Sequence, residues 1–241
     1  MKNNSANFKK FAKSEFGLNN DDFDITKSMT PYILEEREMR VTQIDVFSRL
    51  MMDRIIWGSG VVDDNMCDII QAQLLFLDSV DKTKDITLYL NTPGGSVLHG
   101  LGIVDVMDYV TSEISTVNTG MCASMGAVLL AAGTKGKRHA LRYSKVMTHQ
   151  VSSGNSGAIQ NMRINQLESE KYNFLLFKRL GEDTGKGWEQ VLKDSERDKW
   201  YTSDEAKDYG LIDSVILSNG VESVTELNKD FNKYKKLVNN F

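Results

Sequence analysis

Short β-suited runs alternate along this chain with stretches of helical periodicity, and most of the runs end in small turn-forming residues. Ile55-Ile56-Trp57 leads into Gly58-Ser59-Gly60, and Ile86 to Leu90 leads into Asn91-Thr92-Pro93-Gly94-Gly95. Ile114 to Val117 leads into a small-residue stretch around Gly120, and Ser144 to Thr148 delivers His149 to the Ser/Gly-rich segment Ser152 to Gly157. This alternation implies an α/β layered fold with largely parallel pairing, since parallel neighbours need a crossover long enough to hold a helix. Helices are expected over Asp45 to Asp53, after a cap at Asp63 or Asp64 and from near Ser96. Others are expected over about Ala158 to Leu180, and from a cap at Thr202 or Ser203 to Gly210. In the second of these Met66, Ile69, Ile70, Leu74 and Leu75 are the expected apolar positions; in the third, Leu98, Leu101 and Met107. Lys135 to Arg138 reads as a turn, and Leu211 to Leu217 as the last strand.

Composition narrows the classes of function. The 241 residues, 41% of them hydrophobic, suffice for a sizeable core, and two prolines leave little room for a Pro-rich linker. A net charge of −4, with lysines scattered among acids, provides no basic field, so no nucleic-acid partner is expected. Cys67 and Cys122 make no C-x-x-C pair, which fits a reducing compartment. The apolar run around Ala127 to Ala132 is too short to span a bilayer, and the N-terminus lacks a signal-peptide core. A cytoplasmic protein without membrane association is the expectation.

The chemistry concentrates in Gly120-Met121-Cys122-Ala123-Ser124-Met125-Gly126. A strand there gives way to an Ala-rich helix, and Ser124 stands at the junction, where a hydroxyl is held clear of the backbone. The first N–H groups of the new helix lack internal partners, so they are available to an oxyanion. A serine needs a base and the base an orienting carboxylate. Of three histidines, His139 follows Lys137-Arg138 in what reads as a solvated turn, His99 lies in the helix after Gly95, and His149 ends a β-suited run. None has metal-ligand spacing. Cys122 is an alternative nucleophile, read here as packing.

Five segments stand in one order: Thr87 to Gly95, Gly120 to Ala127, Val146 to Gln150, Asp194 to Asp198 and Glu205 to Asp213. From about Pro31 to Ile216 this series resembles the proteolytic subunits of the Clp protease family. The resemblance implies an α/β, ClpP/crotonase-like fold of layered β-β-α repeats with a protruding long helix, the handle, at about 150–181. It implies a leader at 1–28 that is removed, a peptidase domain at 29–217 and an extension at 218–241. Val224, Leu227, Phe231, Tyr234 and Val238 predict that Ser223 to Val238 of the extension is an amphipathic helix. A small amphipathic helix carrying Phe8, Phe11 and Ala12 and ending at Gly17 is expected in the leader.

The same resemblance implies a nucleophile at Ser124, a general base at His149, an orienting carboxylate at Asp198 and an oxyanion hole at the N–H groups of Gly95 and Met125. Asp194 competes with Asp198, and spacing alone does not separate them. Tyr89 and Tyr109 match positions for docking an unfoldase, Glu196 and Arg197 match inter-ring contacts, and Glu35 to Arg40 matches an axial gate. The assembly implied is a homo-oligomer of two stacked heptameric rings, fed unfolded protein by a Clp-type AAA+ unfoldase. No cofactor is implied; the chain has no Gly-x-x-x-x-Gly-Lys-Ser/Thr loop, so ATP belongs to that partner. One departure is Val151, where the family usually has proline after His-Gln. A crotonase-like acyl-CoA enzyme and a catalytically silent ring subunit are the other readings.

Overall fold

The chain divides into two units, Met1–Leu50 and Met51–Phe241. The computed structural model describes residues 32–37, 40–154, 156–217, 224 and 231–238, so the expected helix at Phe8 to Gly17 lies outside the described residues. In the first unit β1 (Tyr32–Arg37) pairs antiparallel with β2 (Arg40–Asp45), from Tyr32 opposite Asp45 to Arg37 opposite Arg40. Of the charged run Glu35 to Arg40, Glu35, Glu36 and Arg37 lie in β1 and Arg40 in β2, with Glu35 opposite Thr42, Glu36 opposite Val41 and the two arginines opposite each other. Helix α1 (Val46–Met52) follows at once, because the Asp45 carboxylate accepts from the backbone N–H groups of Phe47 and Ser48 at 3.1 and 3.0 Å.

The second unit runs β3 (Ile55–Val62), α2 (Asp64–Val80), β4 (Ile86–Gly95), α3 (Val97–Tyr109), β5 (Ile114–Ala123) and α4 (Met125–Ala131). It continues through β6 (Arg138–Leu141), β7 (Lys145–Thr148), α5 (Ile159–Thr184), α6 (Trp188–Asp194), β8 (Lys199–Thr202), α7 (Ser203–Tyr209), β9 (Ser214–Ile216) and α8 (Phe231–Val238). The sheet has the order β3-β4-β5-β6-β9, all pairs parallel; β7 joins β5 in parallel and β8 pairs antiparallel with β7. The fold is thus α/β with a mostly parallel sheet. Its core gathers Ile56, Leu74, Ile86, Leu88, Leu90 and Ile103, together with the wholly buried α4.

Several elements differ from expectation, each for a tertiary reason. Strands β3, β4 and β5 run on through their glycine-rich ends, because neighbouring backbone pairs Val62 with Gly95 and Thr92 with Cys122. The cost of those residues appears as register shifts and a φ of 93° at Gly60. Lys135 to Arg138 does not remain a turn to its end: Arg138 opens β6, its guanidinium buried against Asp213 with Nη2–Oδ1 at 2.7 Å and Nε–Oδ2 at 2.9 Å. His139 is accordingly a strand residue, with Nδ1 2.7 Å from Ser214 Oγ. α6 and β8 carry no strong periodicity and were not expected. The final strand covers only Ser214–Ile216 of Leu211 to Leu217.

Capping at Asp63 sets α2, its carboxylate accepting from Met66 N at 2.9 Å. Met66, Ile70 and Leu74 face inward, but Ile69 and Leu75 are exposed and Cys67 and Leu77 fill their places. Leu98 of α3 is likewise exposed. The extension is helical at Val224 and over Phe231–Val238, where Phe231, Tyr234, Leu237 and Val238 are exposed.

Helix α5 extends to Thr184 and buries only Leu176, Phe177, Leu180 and Gly181 near its end, while Ile159, Ile164 and Leu167 stand in solvent. Its buried end is held by charge. Arg179 binds Asp108 of α3 and donates through Nε to Asp183 at 2.8 Å, while Arg138 donates to the Asp183 carbonyl at 2.9 Å. Burial pushes Asp183 up to about 6, against the pull of Arg179 and Arg138. A carboxyl whose folded value is raised holds its proton more tightly when folded. Its stabilising contribution is therefore complete below pH 3.8 and is lost as pH rises through about 6. Wild-type protein should gain thermal stability relative to Asp183→Asn as pH is lowered from about 6 towards 3.8. A difference in melting midpoint that is constant across this window would contradict the assignment.

Candidate active site

Strand register brings three polar side chains to one edge of the sheet. Ala123, the last residue of β5, pairs with Met147, and β8 pairs Lys199 with Thr148, so the residues just beyond those strand ends converge. They are Ser124, His149 and Asp198. His149 Nε2 lies 2.9 Å from Ser124 Oγ, and Nδ1 lies 3.1 Å from Asp198 Oδ1. Asp194 is engaged elsewhere, bonded to Gln190 and Tyr209 at 2.9 Å and to Lys199 at 3.1 Å. The His149 side chain is 23% exposed and that of Asp198 63%, so the three groups run from the interior to water.

Ser124 occupies the one-residue turn between β5 and α4, with φ 55° and ψ −122°. A non-glycine residue rarely adopts that backbone, which costs about 1–3 kcal/mol. The turn is fixed by Ser124 N donating to Met147 O at 2.8 Å and Ala127 N donating to Ser124 O at 3.0 Å. The hydroxyl therefore projects towards His149 from a backbone held on both sides by hydrogen bonds. Met125 is the first residue of the buried α4, and its N–H has no partner within that helix.

Beside this turn β4 ends at Gly94-Gly95, with φ of 90° and 155°. A β-carbon on Gly94 would stand 2.7 Å from Ser124 Cβ and 2.9 Å from Met125 N. Sequence reasoning missed Gly94, although the Pro-Gly-Gly triplet marks a place where backbone approaches backbone. A cleft of about 220 Å³ opens here, bordered by Gly95, Ser124 and His149 and floored by Val128, Leu176 and Phe177. Two floor residues come from α5, which ties that helix to the site. Cys122 is wholly buried, and burial pushes its thiol far above the ordinary range, so it supplies no thiolate. Among the described residues no cluster of His, Cys, Asp and Glu is arranged to hold a metal.

The remaining sequence candidates do not line this cleft. Tyr89 falls in the middle of β4 rather than at its end, partly buried and stacked on Trp57 with ring centroids 5.6 Å apart. Tyr109 ends α3 with 78% of its surface exposed. Glu196 and Arg197 are exposed beside Asp198, and among the described residues neither side chain forms an ion pair. No helix among the described residues is long and apolar enough to cross a membrane.

The Clp protease family model matches residues 36–219. The chain belongs to the Clp protease family. It is 48% identical over 215 residues to the ATP-dependent Clp protease proteolytic subunit of Bacteroides fragilis (strain YCH46), covering 87% of this chain and 98% of that protein. It is 49% identical over 217 residues to the protein of the same description from Porphyromonas gingivalis (strain ATCC BAA-308 / W83), covering 88% and 98%. The matched span holds every site residue named above, and α8 lies beyond it.

Proposed function

We propose that this chain is a serine endopeptidase that cleaves unfolded polypeptide to short peptides, with Ser124, His149 and Asp198 as its triad. The observation that carries the reading is the hydrogen-bonded line from Ser124 Oγ through His149 to Asp198 at the mouth of a mainly apolar cleft. As Ser124 Oγ attacks the scissile carbonyl, His149 Nε2 takes its proton and Asp198 stabilises the imidazolium. The oxyanion accepts hydrogen bonds from the N–H groups of Gly95 and Met125, which strengthen as charge develops. The imidazolium then protonates the departing amine, leaving an ester on Ser124. Water enters, gives a proton to His149 and splits the ester, and the proton returns to Ser124 Oγ. These side chains and water suffice, so the reaction needs no cofactor. A fluorophosphonate probe should label Ser124 stoichiometrically, with parallel loss of fluorogenic-peptide cleavage. An active protein that stays unlabelled would remove the reading.

The relatives are named as proteolytic subunits of an ATP-dependent protease, which favours neither an acyl-CoA enzyme nor a silent subunit. Assembly into two stacked heptameric rings would cover the exposed apolar residues of α5, and Glu196 and Arg197 are assigned to the inter-ring contact. A cytoplasmic Clp-type AAA+ unfoldase would spend the ATP and dock at Tyr89 and Tyr109. The exposed Tyr109 suits a reversible aromatic contact. Tyr109→Ala should leave short-peptide cleavage within about twofold of wild type but reduce unfoldase-dependent degradation of a folded substrate about tenfold or more. Equal loss of both activities, with ring dissociation in sedimentation, would make Tyr109 a structural residue.

A further inference from the structure

The contact between His149 and Asp198 lies outside the strand ladder. The β7–β8 pairing ends with Thr148 opposite Lys199, one residue short of both groups. Among the described residues His149 is the only hydrogen-bond partner of the Asp198 side chain, which is mostly in water. Something else must keep the two apart by one hydrogen-bond length.

Both residues flanking His149 grip the turn that carries Asp198. On one side, Ser195 Oγ donates to Thr148 Oγ1 at 2.9 Å, and both residues are buried, at 0% and 2% exposure. On the other, Gln150 Nε2 donates to the Glu196 carbonyl at 3.2 Å. Ser195 is itself anchored, its N–H bonded to Val191 O at 2.9 Å at the end of α6. Hydroxyls at both buried positions cost desolvation that an apolar pair of similar size would avoid, and their mutual bond offsets it only while the geometry holds.

We propose that the Thr148–Ser195 hydroxyl pair is a positioning device for the proposed triad, fixing the distance from His149 to Asp198. This rests on the serine-peptidase reading. Neither residue touches the reacting atoms. They act through the two that do: the bridge locks β7 against the α6–β8 turn immediately before the point where the imidazole meets its carboxylate. The other charged groups near that point are Glu196 and Arg197, both exposed, and Lys199, paired with Asp194.

The test compares full-length wild type with Thr148→Val, Thr148→Ser, Ser195→Ala and the Thr148→Val/Ser195→Ala double variant. Assembly is checked by native mass spectrometry, and kcat and KM are measured on a fluorogenic peptide. Thr148→Val and Ser195→Ala should each lower kcat about tenfold with KM within about twofold, since a misplacement of 1 Å costs on the order of 100-fold. Thr148→Ser, which keeps the hydroxyl, should stay near wild type, and the double variant should lose no more than either single change. A lowered melting midpoint with unchanged kcat would reduce the pair to packing, and equal losses in Thr148→Ser and Thr148→Val would do the same. If Thr148→Val fails to assemble, the double variant, which leaves no unpaired hydroxyl, is judged by the same criteria. Hydrolysis surviving in Ser124→Ala would instead overturn the triad reading itself, whatever these variants do.

Discussion

Ser124→Ala should lower kcat for a fluorogenic peptide by a factor on the order of 10⁶, while its native mass and melting midpoint stay as in wild type. The expectation follows from the site's construction. Ser124 sits in a strained turn whose N–H and carbonyl are both engaged by backbone, and alanine keeps Cβ and removes only Oγ. The fold therefore has little reason to respond, since the change removes one hydrogen bond, that between Ser124 Oγ and His149, at the mouth of a cleft. His149→Ala should produce a loss of similar size, and the double variant should lose little more, because the proposed nucleophile and base act as a unit. Whatever hydrolysis remains would come from the cleft and the proposed oxyanion donors, which neither change touches. Comparable activity in wild type and Ser124→Ala, measured on the same assembled protein, would show that the hydrogen-bonded line at the cleft mouth is incidental.

Where local chemistry dictates structure, the sequence was legible. Helix caps could be read at Asp63 or Asp64 and at Thr202 or Ser203; the structure takes Asp63 and Thr202, and Thr202 completes a reciprocal cap with Glu205 before Gly210 ends α7 with φ 94°. Ser124 could be read as a strand-to-helix junction because small residues and an Ala-rich run adjoin it. Features created by pairing between distant segments were not legible. Spacing leaves Asp194 and Asp198 equivalent, and only the antiparallel pairing of β7 with β8 turns Asp198 towards His149 while Lys199, Gln190 and Tyr209 occupy Asp194. β6 was hidden because its first residue is an arginine, whose burial makes sense only once Asp213, 75 positions later, is beside it. The inward face of α2 was misjudged by about one residue for a similar reason: a periodic pattern gives a stripe, and the neighbouring elements choose its centre.

Gly94→Ala should cost at least 10²–10³ in kcat, the loss that follows removal of one oxyanion donor. Two effects combine at this residue. Its φ of 90° disfavours any β-carbon, and the added carbon would lie 2.5 Å from Ala123 O, 2.7 Å from Ser124 Cβ and 2.9 Å from Met125 N. None of these neighbours is the free end of a flexible side chain, so relief requires the end of β4 or the Ser124 turn to move. The turn cannot retreat, since every residue of α4 behind it is buried. The displacement falls on the separation between Gly95 and Met125, whose N–H groups are the proposed oxyanion donors, and the methyl group also crowds Met125 N directly. Gly136→Ala separates the two effects. Gly136 has nearly the same φ, 89°, yet a β-carbon there meets nothing within 4 Å. Gly136→Ala should therefore show a backbone penalty in its melting midpoint with kcat near wild type, whereas Gly94→Ala should lose both stability and rate. Fluorophosphonate labelling of Ser124 should also slow in Gly94→Ala and not in Gly136→Ala. If the two variants differ from wild type only in melting midpoint, Gly94 merely satisfies its own backbone and the proposed oxyanion geometry is wrong.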